Sequence, residues 1–249
     1  MRRGVFAGAA LVLGAFVLAP LPAGAADGTG LTLSVGGGLA AGALDWSVRS
    51  GFTLYAEEAR LDASYESSSG PAFEAALGFR FSRRLGVTTV VGWSRRETTA
   101  MVGASLPHPL YLDRPRSLEA GVDGLEHREL VTHFDLEWRK GGGRFEATLF
   151  AGLTLLRVET HLVERVEANE EYPYDEVTFR VAATASTRSD ATLGWNAGGA
   201  LGLAFGARAV VGLQARYARA GVELTPSGSE PFRLDAGGLQ AIGFLRIRF

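Results

Sequence analysis

From Ala72 to Ser82 the chain alternates apolar and polar positions without a break. Phe73, Ala75, Leu77, Phe79 and Phe81 fall on one side, and Glu74, Ala76, Gly78, Arg80 and Ser82 on the other. A period of two places every large apolar residue on one face of a β-strand. Leu130 to Arg139 repeats the pattern, with Leu130, Phe134, Leu136 and Trp138 opposite His133, Asp135, Glu137 and Arg139. Phe145 to Leu155, Leu193 to Phe205 and Val211 to Tyr217 carry the same alternation. So does the end of the chain, Gly237 to Phe249, where Leu239, Ala241, Gly243, Leu245, Ile247 and Phe249 share a face. Helical periodicity is weaker throughout, so the expected class is all-β.

Alternation alone also suits a soluble sandwich or a lipocalin-like barrel. The connections discriminate. Ser82-Arg83-Arg84, Gly141-Gly142-Gly143 and Gly206-Ala207-Arg208 read as tight turns, whereas Met101 to Glu126, Ala168 to Asp190 and Thr225 to Ala236 read as long polar connections. Short and long alternate, which is the rhythm of a transmembrane antiparallel up-and-down β-barrel with short periplasmic turns and long extracellular loops. Counting back from the C-terminus places strands near 236–249, 208–224, 191–205, 144–165, 127–140, 85–101 and 72–82. An even number requires one more. Leu31 to Ala40 and Phe52 to Tyr65 compete for it, the second with a slip of phase at Glu57-Glu58, and Val177 to Thr187 is a further strand or loop hairpin. About eight strands is the first choice and about ten the alternative.

Aromatic residues test this frame. Phe81, Trp138, Phe145, Phe205 and Phe249 sit beside tight turns or the C-terminus, so they share one rim. Trp93, Trp195 and Tyr217 lie further along their strands. A separation of roughly eight to ten residues, at about 3.3 Å each and a tilt near 45°, spans about 19–24 Å, close to the height of a lipid-facing band bounded by two aromatic girdles.

Composition adds a location. Met1-Arg2-Arg3, the apolar run Gly4 to Ala19 and the small-x-small triplet Ala23-Gly24-Ala25 have the order of a cleaved secretory signal. Residues 1–25 are therefore expected to be a signal peptide and 26–249 a single outer-membrane barrel domain. Cysteine is absent, so disulfides and thiolate metal sites are excluded. The formal charge of −2 is too mild to indicate nucleic acid.

With these features together, the chain resembles the small bacterial outer-membrane β-barrel proteins, OmpA- and OmpX-like barrels in the broad sense. The resemblance implies that Leu245, Ile247 and Phe249 form the C-terminal signal read by the barrel-assembly machinery and periplasmic chaperones. Ile247 stands where a second aromatic is usual. The resemblance further implies outer-membrane lipids as the surroundings. It leaves an anchor, an interaction protein, a narrow channel and a lipid-modifying enzyme all open.

The inferred inner face is polar and of both signs: Glu74, Arg80, Asp135, Glu137, Arg139, Glu146, Asn196, Gln214, Arg216, Gln240, Arg246 and Arg248. An interior of about eight strands is just wide enough to be filled by side chains, so a salt-bridged plug is expected, with a narrow path for small polar solutes as the competing reading. The histidines His108, His127, His133 and His161 form no zinc motif. Ser105 and Ser117, read as loop serines, lack a nucleophile-elbow context. Neither a catalytic residue nor a cofactor is expected. Two stretches qualify as recognition loops. Leu106 to Arg116 offers Tyr111, Arg114 and Arg116, and the acidic Glu167 to Glu176 offers Tyr172 and Tyr174. Tyr and Arg are the side chains that most often anchor interfaces. The bland alternative is that the two loops pack Arg against Glu and merely cap the mouth.

Overall fold

The computed structural model describes residues 30–41, 44–172, 174, 177–225 and 231–249; the expected signal, 1–25, lies outside them. The strands are β1 Gly30–Ala41, β2 Leu44–Leu54, β3 Glu57–Ser67, β4 Gly70–Arg80, β5 Leu85–Leu106, β6 Arg116–Gly142, β7 Phe145–Glu170, β8 Val177–Arg188, β9 Thr192–Phe205, β10 Ala209–Leu224 and β11 Phe232–Arg248. Among the described residues no helix is long and apolar enough to cross a membrane.

Eight of these strands close a ring of antiparallel ladders in the order β1, β4, β5, β6, β7, β9, β10, β11 and back to β1. Closure sets Leu245 opposite Val35 and Ile247 opposite Leu33, and the Phe249 amide donates to the Leu31 carbonyl at 3.0 Å. The C-terminal strand is thus paired on both sides, which removes the exposed edges an open sheet would have.

The two N-terminal candidates part company here. Leu31 to Ala40 lies in the first ring strand, while Phe52 to Tyr65 lies in the β2–β3 hairpin. Tyr55 and Ala56, at φ 52° and 64°, turn that hairpin. The slip of phase at Glu57-Glu58 is therefore a reversal of direction, not an irregular strand. β3 then pairs with the outer part of β5, Ser67 opposite Thr98 and Arg60 opposite Ser105. β8 likewise pairs with the outer part of β7.

Three of the expected long connections are shorter than composition suggested. β5 runs to Leu106 and β6 begins at Arg116, so most of Met101 to Glu126 is strand. Ser105 and Ser117 face each other across that pair instead of lying in a loop. β7 and β8 fill much of Ala168 to Asp190, and β11 starts at Phe232.

The reason lies in an inversion of the alternation. In the lower part of β10 the exposed residues are Val211, Leu213 and Tyr217 and the buried ones Gln214 and Arg216; higher up, Arg219 and Glu223 are exposed and Val222 and Leu224 buried. β7 passes from exposed Leu149, Leu153 and Leu155 to the polar Arg157 and Glu159, while its buried side passes to Leu156, Val158 and Leu162. β11 changes in the same way, from Leu245 and Leu239 outside to Asp235 and Arg233. The inward and outward phase of each of these strands is unchanged; what changes is the solvent on its outer face. Below the change the outside is apolar over most of its area, with Leu213 72% exposed and Leu201 70% exposed. An apolar belt of that extent is stable against lipid and not against water. Above it the wall is a water-facing β-structure with its own apolar core.

Candidate functional site: a filled lumen and a tied apex

Alternation sends the even residues of β4, β7, β9, β10 and β11 and the odd residues of β6 inward in the membrane-spanning half, where their charges meet. Glu146 on β7 accepts from Arg246 at 3.0 Å and also from Arg248, both on β11. Arg139 donates its Nε to Glu137 at 3.0 Å. Arg216 on β10 donates to Asp135 Oδ2 on β6 at 2.7 Å and to Asn196 Oδ1 on β9 at 2.5 Å. Its guanidinium lies 4.4 Å from the Phe150 ring centroid. Gln214 donates to Glu74 across the barrel at 3.1 Å. Gln240 is buried on the same inner face of β11, and Arg80 lies at the inner end of β4. Gly198 leaves the space that Phe150 occupies: a Cβ there would stand 2.6 Å from its Cζ.

Arg216 and Asp135 have side chains only 2% and 1% exposed. Desolvation on this scale is offset here because the two charges meet each other and the guanidinium donates a further hydrogen bond to Asn196. His133 Nδ1 and the Thr154 hydroxyl stand 2.8 Å apart, and Asn196 donates to the same hydroxyl at 3.2 Å. Cross-strand pairing thus continues the network laterally.

Higher up, one polar cluster escaped the sequence reading. Glu129, fully buried, stands 3.2 Å from His127 Nε2 and accepts from the Gly237 amide at 3.0 Å; Arg96 donates to the Gly237 carbonyl at 2.8 Å. The signal was available, since Arg96 and Glu129 are in phase with the inward residues of β5 and β6. Trp46 stacks on Tyr65 at 5.2 Å and faces His127 at 5.6 Å. Val102, Leu125, Leu156, Val222, Leu224 and Leu234 pack around them. This apolar stopper occupies the extracellular half of the interior. Burial raises the Tyr65 phenol above its ordinary value, against the hydrogen bond it accepts from the Val163 amide at 3.0 Å.

The apex is held by one arginine. Arg116 donates to the Pro107 carbonyl at 2.8 Å, the Tyr174 carbonyl at 2.9 Å and Glu170 at 2.5 Å. Glu170 also accepts from the Tyr55 hydroxyl at 2.8 Å, and that bond raises the Tyr55 phenol, with burial and the Glu170 charge adding to it. The Asp113 amide donates to Glu57 at 3.2 Å. The β2–β3 turn and both candidate recognition loops are therefore tied together. Around the tie Tyr111 packs on His108 at 4.9 Å and Arg114 stacks over Tyr111 at 5.5 Å. Leu112 is 77% exposed and Tyr172 81% exposed.

The aromatic residues lie on the outer surface at two levels. Phe81, Trp138, Phe145, Phe205 and Phe249 are exposed at the turn end, and Trp93, Trp195 and Tyr217 at the opposite margin of the belt. Trp195 and Tyr217 contact at 5.6 Å, and Phe73 and Trp93 at 6.1 Å. Immediately above the second level comes a collar of charge: Arg95 and Arg128 on Glu126, Arg188 on Glu159 at 2.6 Å, and Arg219 on Asp235 at 2.5 Å. Burial pushes the Glu159 carboxyl up, but Arg188 and Ser186 outweigh it and hold the group below its ordinary range.

A closed antiparallel ring of eight strands, an apolar outer belt and a charge-filled lumen define a small bacterial outer-membrane β-barrel protein. No protein-family model and no curated protein matches the chain. Among solved structures it is similar to Neisserial surface protein A, with 10% identity over 88% of this chain and 97% of that one at a TM-score of 0.44. It is also similar to Ail, the attachment invasion locus protein of Yersinia pestis, with 12% identity, coverage of 89% and 99%, and a TM-score of 0.35. A third is the outer membrane protease OmpT of Escherichia coli, with 9% identity, coverage of 88% and 94%, and a TM-score of 0.38. The barrel assignment rests on the closed ladder and the outer belt, not on these likenesses.

Proposed function

We propose that this protein is a non-enzymatic outer-membrane barrel that acts through its extracellular apex. The observation that carries this reading is the tie at Arg116, which joins Glu170, Pro107 and Tyr174 while Leu112 and Tyr172 stay outside it. Packing Arg against Glu caps the mouth, as the bland reading expects, yet it also presents two large side chains on a stiffened platform. Loops fixed before binding lose less entropy when a partner is engaged, and Tyr is a favoured anchor. The membrane-spanning half contributes a rigid base, its lumen filled by Arg216, Asp135 and their neighbours rather than left open.

The test replaces 106–116 and 167–176 by short Gly-Ser turns and compares bacteria displaying either form for attachment to host cells or matrix-coated surfaces. Attachment that depends on the loops and falls to the level of barrel-free cells is the expected result. Equal attachment by both forms disposes of the reading.

A further inference from the structure

We propose that the turn end of the barrel binds an anionic phospholipid of the phosphatidylglycerol type, its phosphate on Lys140 and an acyl chain in the groove that climbs from Lys140 to Gly243. This end faces the periplasmic, phospholipid leaflet. It lies opposite the apex and does not depend on what the apex does.

The two ends of the barrel differ in charge balance. On the extracellular side several exposed arginines meet acids, as Arg188 meets Glu159 at 2.6 Å and Arg180 meets Glu167 at 2.7 Å. At the turn end Arg84, Lys140, Arg144 and Arg208 are exposed, and the segments 81–85, 139–145 and 205–209 contain no Asp or Glu. Glu137 and Glu146, the acids of β6 and β7 closest to these turns, face the lumen and are taken by Arg139, Arg246 and Arg248. A net cationic rim beside a bilayer attracts anionic headgroups.

The rim cations are fixed at headgroup depth. The Arg84 carbonyl accepts from the Arg139 amide at 2.7 Å, the Arg144 carbonyl from the Ala204 amide at 2.7 Å and the Arg208 carbonyl from the Arg248 amide at 2.8 Å. Each tight turn thus has one arginine pinned by its backbone to a neighbouring strand. With Lys140, these residues lie one to three positions from Phe81, Trp138, Phe145 or Phe205, about 3–10 Å along the chain from the girdle. Aromatic girdles mark the level of the headgroups.

A groove begins at the same rim. It has a volume of about 970 Å³ and crosses the outer face of β7, β9, β10 and β11 from Lys140. One ladder row follows it: Lys140 is opposite Ala147, Ala147 opposite Leu201, Leu201 opposite Leu213 and Leu213 opposite Gly243. Four strand spacings of about 4.8 Å make a path of about 19 Å. Lys140 adjoins a turn, Leu201 is four residues from the rim residue Phe205, and Gly243 is six from Phe249, so the row climbs away from the rim. At an inclination near 45° it rises about 13 Å, close to half of a ~30 Å hydrocarbon core. A chain whose headgroup sits on Lys140 therefore spans one leaflet in this groove. The rim supplies no carboxylate to receive the ammonium of a zwitterionic lipid, so the anionic headgroup is preferred. A cell-wall polymer would meet the same cations but has no chain to fill the groove.

Native mass spectrometry of the detergent-solubilised barrel tests this, with dioleoyl phosphatidylglycerol and dioleoyl phosphatidylethanolamine as probes and glycerol phosphate as competitor. One phosphatidylglycerol is expected to be retained at least fivefold more than phosphatidylethanolamine, undiminished by glycerol phosphate. The triple variant Lys140→Gln/Arg144→Gln/Arg208→Gln should lower that retention at least fivefold. Gly199→Leu and Ala215→Leu, which put bulk on the outer face of the groove, should each lower it too. Arg180→Gln, on the extracellular side, should leave it unchanged. Heat-modifiable gel migration verifies that each variant is a folded barrel, and the triple variant, at exposed positions, decides the matter should neither groove variant fold. Equal retention of the two lipids overturns the proposal, as does displacement by glycerol phosphate. So does full retention by the triple variant or by a folded groove variant, or a loss with Arg180→Gln as large as with the triple variant. Co-sedimentation of the wild-type barrel with purified cell-wall sacculi, abolished in the triple variant, would assign the rim to the wall and overturn it as well.

Discussion

The Arg216 guanidinium on β10 reaches the Asp135 carboxylate on β6 at 2.7 Å, across a lumen from which both side chains are almost wholly shielded. Two residues far apart in sequence thereby cross-brace the barrel. Asn196 accepts a second hydrogen bond from the guanidinium and Phe150 covers its face.

Removing one member of this pair leaves an uncompensated buried charge. Asp135→Asn or Arg216→Met is expected to destabilise the barrel by about 3–5 kcal/mol, whereas the double variant Asp135→Leu/Arg216→Met should recover most of the loss. Urea titration in lipid vesicles, followed by tryptophan fluorescence, measures both. A double variant as unstable as the worse single one contradicts the account.

The same brace obstructs the lumen. Planar bilayers containing wild-type protein should show no conductance above background. Arg216→Ala combined with Phe150→Ala should be the first combination to open a path, and single-channel recording would detect it. Steady wild-type conductance would mean that the plug is not closed.

Leu149 points into lipid midway along the membrane-spanning part of β7, between Phe145 at the turn end and Leu155 at the outer margin of the belt. Leu149→Arg should cost roughly 2–4 kcal/mol in bilayer folding. Arg157 is already a charge on the same outward face of the same strand, above the belt, so Arg157→Leu should change folding stability by far less. Comparable costs at the two positions would place the membrane boundary elsewhere.

The Glu159–Arg188 pair links β7 to β8 above the membrane. Because the Glu159 carboxyl is held below its ordinary range, its contribution is present above the pKa of the unfolded chain and is lost as pH falls through the folded value. Protease cleavage within 177–188 should therefore be slow at pH 5 and above and quicken below about pH 4, and Glu159→Gln should remove that step. The pair is partly solvated, so the change should be local and leave the barrel folded.

Arg116→Ala should release the apex without unfolding the ring, because its acceptors lie in loops and strand ends. Hydrogen exchange of amides in 107–115 should quicken, while amides of β9 and β10 keep their protection. Unchanged exchange at the apex would show that the remaining contacts hold the loops unaided.

The ring was legible because alternation records which solvent each face meets. The outward set of β4, with Phe73, Leu77 and Phe79, has no rival reading, and turns such as Gly141-Gly142-Gly143 mark where direction reverses. Leu31 to Ala40 against Phe52 to Tyr65 was not decidable in this way, since both alternate, the second with a slip of phase at Glu57-Glu58. The ring ladder between β1 and β11 made the choice, and a partner strand some 200 positions away leaves no trace in local pattern.

The sequence by itself determined that this chain is built of strands, which residues of each membrane-spanning strand share a face, and that charge and apolar bulk lie on opposite faces there. Those follow from period two and are local. Only the tertiary structure decided which charges meet, such as Arg216 with Asp135. It also decided that the long polar stretches continue as strands once their outer face leaves the lipid. Pairing across the lumen depends on register and ring closure, and the meaning of a polar residue depends on the solvent beside it. Neither property belongs to a residue and its neighbours in sequence alone.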